Sequence, residues 1–215
     1  MEKQRSIKGL SLVALIVAVL GLTVAFASLS RTLTINGQAT MDPATWDIHY
    51  VSGTLTHQTG GTATATDGSL AATAVSGLSV TLHKPGDTAT YAWDVTNAGT
   101  IDAHIGTLTF GSQTTVSNAG LTCTNAGDNN GSSDATNVCN DVVITFKYAS
   151  GAGFGQGVTV GDAVSVNDTL TVSEGTKHLQ LTITYPSTVT NDTYPADDVT
   201  ITIPTISTIY EQTIS

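Results

Sequence analysis

Residues 83–105, HKPGDTATYAWDVTNAGTIDAHI, gather two histidines, one lysine and three aspartates. Histidine beside carboxylate is the raw material of general acid–base catalysis or of a metal site, so the first question is whether these groups converge. A period of two separates them instead. Tyr91, Trp93 and Val95 fall on one face of a strand, with Ala92, Asp94 and Thr96 on the other. NAGT at residues 97–100 is turn chemistry, and the next strand puts Ile101, Ala103 and Ile105 inside with Asp102 and His104 outside. After Gly106 the apolar phase moves to Leu108 and Phe110, which predicts a β-bulge at the glycine. KPGD, residues 84–87, is a tight-turn signature ahead of these strands. The charged groups are therefore expected on the wet side of a sheet, and none is assigned to catalysis.

The other chemistry-bearing residues are scattered in the same way. The histidines stand at positions 49, 57, 83, 104 and 178, and none lies in an HExxH arrangement. His49, His104 and His178 take outward positions beside apolar strand residues. No GxSxG elbow is present. DNNGSSD at residues 128–134 collects oxygen ligands without EF-hand spacing, so calcium at the loop 124–138 stays open beside the reading of a solvated loop. Asp197 and Asp198 make a second oxygen-rich turn, and Lys147 projects outward from ITFKY as a surface lysine. Asn130, Asn167 and Asn191 begin N-x-S/T sequons. SGAGFGQG at residues 150–157 opens no helix and is read as a flexible loop, not a phosphate cradle. No catalytic, cofactor-binding or metal-binding residue is assigned.

The elements around these residues are strands. Only 11% of residues are charged and 40% are hydrophobic, with threonine, valine, glycine, serine and alanine filling most of the rest. β-branched side chains lose little rotamer freedom on a pleated surface. Alternation recurs at Trp46, Ile48 and Tyr50, at Val142, Ile144, Phe146 and Tyr148, at Leu179, Leu181, Ile183 and Tyr185, and at Val199, Ile201 and Ile203. Nothing after Ser28 shows a helical period. Residues 53–77 are weakly apolar and repetitive, an excursion or edge hairpin more than core. The expected fold is all-β, a jelly-roll or Ig-like β-sandwich of about seven to ten strands, preceded by an N-terminal hydrophobic signal or anchor helix.

That leader follows the basic residues Lys3, Arg5 and Lys8 and runs without charge from Gly9 to Ser30. AFA ends at Ala27, so signal peptidase is expected to cut before Ser28 and divide the chain into a leader, 1–27, and one sandwich domain, 28–215. An uncleaved anchor holding the membrane through residues 10–29, or a pilin-like cut after Gly9, remain as alternatives. All three place the domain outside the cytoplasm, where Cys123 and Cys139 have only each other to oxidise with. Losing Glu2 and the three leader cations leaves four positive and sixteen negative charges, net −12, which repels a nucleic-acid partner.

TVAFASLS at the leader's end, the short strand TLTING, the strand TWDIHY and the module LHKPGDTATYAWDVTNAGTIDAHI together resemble the TasA and camelysin group of secreted bacterial proteins, over about the first half of the chain. The resemblance implies a leader processed by a SipW-type signal peptidase, a jelly-roll sandwich, and self-association into biofilm-matrix fibres. Arg31, Thr32, Leu33, Thr34 and Ile35 alternate as a free strand that could complete a neighbour's sheet. The expected function is thus an extracellular structural subunit without enzymatic activity or cofactor. A surface-anchored or pilin-like adhesion module is the alternative, and a camelysin-like secreted metallopeptidase a third, although no ligand triad carries over onto this chain.

Overall fold

The computed structural model describes residues 14–20, 43–126, 134–188 and 198–213. The chain divides into two units, Met1–Asp42 and Pro43–Ser215. In the first, residues 14–20 are helical and exposed. Among the described residues no helix is long and apolar enough to cross a membrane. The junction between Ala27 and Ser28, the segment from Arg31 to Ile35 and most of the apolar run lie outside the described residues.

The second unit is all-β. Its strands are β1 (Ile48–Tyr50), β2 (Thr56–Gly60), β3 (Thr64–Thr66), β4 (Ser69–Leu70), β5 (Ala74–Ser76), β6 (Ser79–Leu82), β7 (Thr88–Asn97) and β8 (Ala103–Phe110), followed by β9 (Thr122–Asn125), β10 (Val143–Ala149), β11 (Val160–Ala163), β12 (Thr169–Leu170), β13 (Thr176–Thr184), β14 (Val199–Thr202) and β15 (Ile206–Gln212). A six-stranded sheet runs β1-β7-β13-β10-β11, with β2 also paired to β7. A five-stranded sheet runs β12-β8-β15-β5-β4 and a four-stranded one β3-β6-β14-β9. The two smaller sheets continue each other through a shared bend. Pairing passes across it where the Ile203 N–H donates to the Leu78 carbonyl at 3.1 Å.

Three local features make that bend. Pro204, between β14 and β15, has no N–H to give a ladder. Gly77, between β5 and β6, has φ +74°, a conformation that disfavours other residues. Gly68, between β3 and β4, lies so close to the Ser76 carbonyl that a Cβ would collide with it. The chain is divided at each of these points into two shorter strands, and the buried face slips by one residue there, from Val75 to Leu78 and from Ile203 to Ile206, so more, shorter strands exist than expected.

The six-stranded sheet and the bent pair pack in a sandwich-like way around one hydrophobic cluster. Trp93 stacks on Phe146 with centroids 5.3 Å apart, and Tyr50 meets the same indole edge-on at 6.0 Å. Two tyrosines then tie the layers by hydrogen bonds. The Tyr91 hydroxyl donates to the Ser79 carbonyl at 2.7 Å, with the Thr66 carbonyl at 3.1 Å, and the Tyr50 hydroxyl pairs with Thr208 Oγ1 at 2.9 Å. Burial satisfied in this way costs little, whereas an orphaned phenol would cost about 1–3 kcal/mol. Burial pushes the Tyr50 hydroxyl up to about 12, against the lowering effect of its Thr208 bond.

Most of the alternation holds. Tyr91, Trp93, Val95, Ala103, Ile105, Leu108 and Phe110 are buried, and so are Leu179, Leu181, Ile183, Tyr185, Val199, Ile201 and Ile203. The bulge falls at Gly106: Ile209 pairs with Thr107 and Tyr210 with Ile105, leaving the glycine without an opposite.

Three further expectations about these segments need correction. Trp46 is 45% exposed, because the β1–β7 ladder ends at Ile48 opposite Asn97 and the indole lies beyond it. Residues 53–77 are no detached excursion but fit the edge-hairpin alternative: β2, β3 and β4 lie at sheet edges, one in each sheet, while β5 lies one strand further in and buries Val75 completely. The segment between the cysteines ends in a helix, Asp134–Asp141, which turns Val138 into the core and packs Ala135 against it. Two apolar residues in one short helix are too few to show a period of 3.6.

Candidate functional site

Among the described residues the charged side chains of the opening stretch do not converge on one another as metal ligands would, and one of them is not on the wet side of the sheet. Asp87 closes the KPGD turn and is fully buried. Its carboxylate accepts the backbone N–H groups of Thr62 and His83 at 2.8 Å and of Lys84 at 3.1 Å, and the Thr62 hydroxyl at 3.0 Å. Gly61, at φ +73°, approaches the same oxygen so closely that a Cβ would overlap it. Burial alone would raise this carboxyl's pKa, yet the converging donors outweigh burial and hold it below the usual carboxylate value. Asp87 is a structural anion that joins the turn before β7 to the loop after β2.

Each histidine is matched to one carboxylate. His49 meets Asp47 at 2.8 Å, His57 Asp67 at 2.6 Å, His83 Asp198 at 2.5 Å and His178 Asp94 at 2.7 Å, while His104 stands 3.7 Å from Glu211. These pairs staple strands or turns together on the surface. Among the described residues no three His, Cys, Asp or Glu side chains come together as metal ligands would. Most of DNNGSSD, with Asn130, lies outside the described residues, as do Asn191 and Asp197. Asn167 is exposed in a left-handed turn at φ +74°. Lys147 stands on the outer face of the six-stranded sheet opposite Gln180. Cys123 and Cys139 form a disulfide with Cα atoms 6.0 Å apart, fastening β9 to the helix Asp134–Asp141.

A polar hollow of about 490 Å³ beside Tyr148, Asp162, Lys177 and His178 has little charge to spare. Lys177 donates to the Thr169 carbonyl at 2.6 Å, pairs with Glu174 at 3.3 Å and sits 5.1 Å above the Tyr148 ring. Burial and then the neighbouring Asp168 carboxylate push the Tyr148 hydroxyl far above its ordinary range, so the phenol is no acid–base group.

A second hollow, a cleft of about 430 Å³, is lined in part by the β11–β12 connection, its apolar residues being Leu108, Val116, Ile144, Phe146, Val164 and Val166 with Ala163. Two interrupted ladders open it. β10 pairs with β13 along its whole length, but with β11 only at Lys147 and Ala149, after which the Val164 N–H donates to the Phe146 carbonyl at 3.0 Å. Among the described residues, Val143 to Thr145 have no strand on that side. β8 pairs with β15 at every residue except Gly106, but with β12 only at Ala103 and His104, and Ile105 is bonded by the turn at Asn167 and Asp168. Gly106 to Thr109 likewise have no strand on that side among the described residues.

Hydrocarbon walls between two incomplete ladders are equipped to take up an extended segment, through main-chain bonds and alternate side chains. Thr114, Thr115, Thr145, Lys147 and Ser165 stand among these apolar residues in the lining. The alternation AVSV at residues 163–166 is the sequence trace of one wall, but local pattern does not reveal that its neighbours are missing. No protein-family model, curated protein or solved structure matches the chain.

Proposed function

We propose that the protein is an extracellular structural subunit of a surface fibre or biofilm matrix, built on a jelly-roll β-sandwich and assembled by N-terminal donor-strand exchange. The cleft between β8 and β10 carries this reading, because it offers a strand-sized apolar slot with open edges on both sides. In a second copy, Leu33 and Ile35 would enter the slot while Thr32 and Thr34 face outward, and Arg31 would stay at its mouth. Removal of the leader before Ser28 by a signal peptidase frees that strand. The disulfide between Cys123 and Cys139 supports an oxidising location.

A chain lacking Ser28 to Ile35 is expected to remain a soluble monomer under the electron microscope while the mature protein forms filaments. The truncated chain keeps its slot, so added to growing filaments it should cap one end. Ile144→Lys, which keeps the donor and spoils the slot, should cap the other. Normal filaments from the truncation would overturn the proposal.

A second reading, a membrane-anchored or pilin-like adhesion module, is favoured by the helical residues 14–20 inside the apolar run. Mass spectrometry of the N-terminus separates the two, since an anchor keeps Leu10 onward and a donor strand begins near Ser28.

A further inference from the structure

The four-stranded sheet displays one motif four times: Thr64-Ala65-Thr66, Ser79-Val80-Thr81, Thr122-Cys123-Thr124 and Thr200-Ile201-Thr202. The middle residues turn inward, Val80 and Ile201 with no exposed surface, so the period of two sends every flanking hydroxyl outward. The register then aligns them across all four strands. Thr64, Thr81, Thr200 and Thr124 form one rank, and Thr66, Ser79, Thr202 and Thr122 the other. Pleated geometry spaces the hydroxyl side chains about 4.8 Å apart along each rank and about 7 Å between ranks. Thr81 and Thr200 are hydrogen-bonded at 3.1 Å in the centre of the array.

An ordinary solvated sheet face is a mixture, and the molecule supplies the comparison. The outer face of the six-stranded sheet also has a threonine pair, Thr90 and Thr182 at 3.2 Å, but Asp94, Lys147 and His178 interrupt it and Gln180 is tied to the Gly153 carbonyl. The eight positions of the hydroxyl array contain no charge, amide or aromatic ring, and the His83–Asp198 pair bounds it at one end of β6 and β14. A protein partner would look for aromatic, methionine or arginine anchors, and a polyanion for cations. Sugar rings stack on aromatic side chains, and none is offered here.

What such an array matches is water held in a lattice. Each hydroxyl donates one hydrogen bond and accepts two, and the stiff β-branched side chain of threonine fixes hydroxyl and methyl together. Ordering liquid water against fixed hydroxyls costs entropy, but water at a crystal surface is already immobilised. We propose that the outer face of β3, β6, β14 and β9 binds ice, its two ranks seating on a crystal plane with a similar oxygen repeat. The inference is independent of the fibre reading, which concerns the cleft between β8 and β10.

The test follows single ice crystals and their recrystallisation in solutions of the full mature protein. Faceted crystals and slowed coarsening are expected. Thr200→Lys, at the centre, and Thr124→Lys, on the exposed edge strand β9 where folding is least at risk, should each return growth to the rounded discs of buffer. Thr90→Lys, on the other layer, should shape ice as the parent does. Circular dichroism confirms that each variant is folded. Rounded discs from the parent, loss of shaping by Thr90→Lys as well, or unchanged shaping by the folded Thr200→Lys and Thr124→Lys variants would overturn the assignment. Retention on crystalline chitin or cellulose without ice shaping would do the same, by pointing to a polysaccharide.

Discussion

Asp87 shows how a residue that reads as surface becomes part of the interior. Its folded pKa lies below the usual carboxylate value, so the stability it contributes is complete above that value and is lost as pH falls through the folded one. Asp87→Asn keeps the shape but turns an amide donor toward N–H groups that need an acceptor. The expected loss is about 2 kcal/mol at neutral pH, measured by urea unfolding, with a flatter decline of stability below about pH 4. An acid limb as steep as the parent's would show that other carboxylates govern it. Asn97 makes the same point without charge. NAGT is legible as a turn, and Gly99 N–H does donate to Asn97 Oδ1 at 3.1 Å, but the side-chain amide also donates to the Leu170 carbonyl at 3.0 Å. No local pattern predicts that contact, because its partner lies in another sheet.

The elements owe their stability to long-range pairing more than to their own sequences. β9 is short and half exposed, joined to β14 on one side and to the helix Asp134–Asp141 through the disulfide. The helix is polar apart from Ala135, Val138 and the cysteine, so it has little reason to form when detached. Cys139→Ser should therefore lower stability by about 3 kcal/mol, read as a shift in the urea midpoint, and should release the helix to proteolysis before the sheets. Equal midpoints for the parent and this variant would mean that packing of Val138 alone holds the helix. The bulge at Gly106 was visible as a phase shift between Ile105 and Leu108. The bend through Gly68, Gly77 and Pro204 leaves the same kind of trace, since the buried face passes from Val75 to Leu78 and from Ile203 to Ile206, but the alternation read from the sequence ended at Ile203 and did not extend over residues 53–77.

At the scale of the whole molecule, charge sets the conditions for assembly. From Pro43 onward the chain has three lysines and fifteen carboxylates. A donor strand brings Arg31 and a new amino terminus, a small attraction beside the repulsion of two bodies that are each strongly negative. Repulsion wins, so filament growth followed by light scattering should accelerate as salt rises to about 0.15 M, where screening acts within about 8 Å. Slower growth in salt would mean instead that Arg31 steers the encounter. Growth indifferent to salt would remove charge as the barrier.

Alternation of apolar and polar residues was enough to determine that the domain is made of strands and, for the most part, which side chains of β7, β8, β13 and β14 enter its core. Composition and the two cysteines were enough to pair Cys123 with Cys139. Both kinds of information are local or have only one solution. Tertiary structure alone decided which strands became neighbours, and with that the burial of Asp87, the slot between β8 and β10, and the two ranks of hydroxyls on β3, β6, β14 and β9. A strand's sequence specifies the face it buries, whereas its partner and register are settled only when distant segments compete for the same edge.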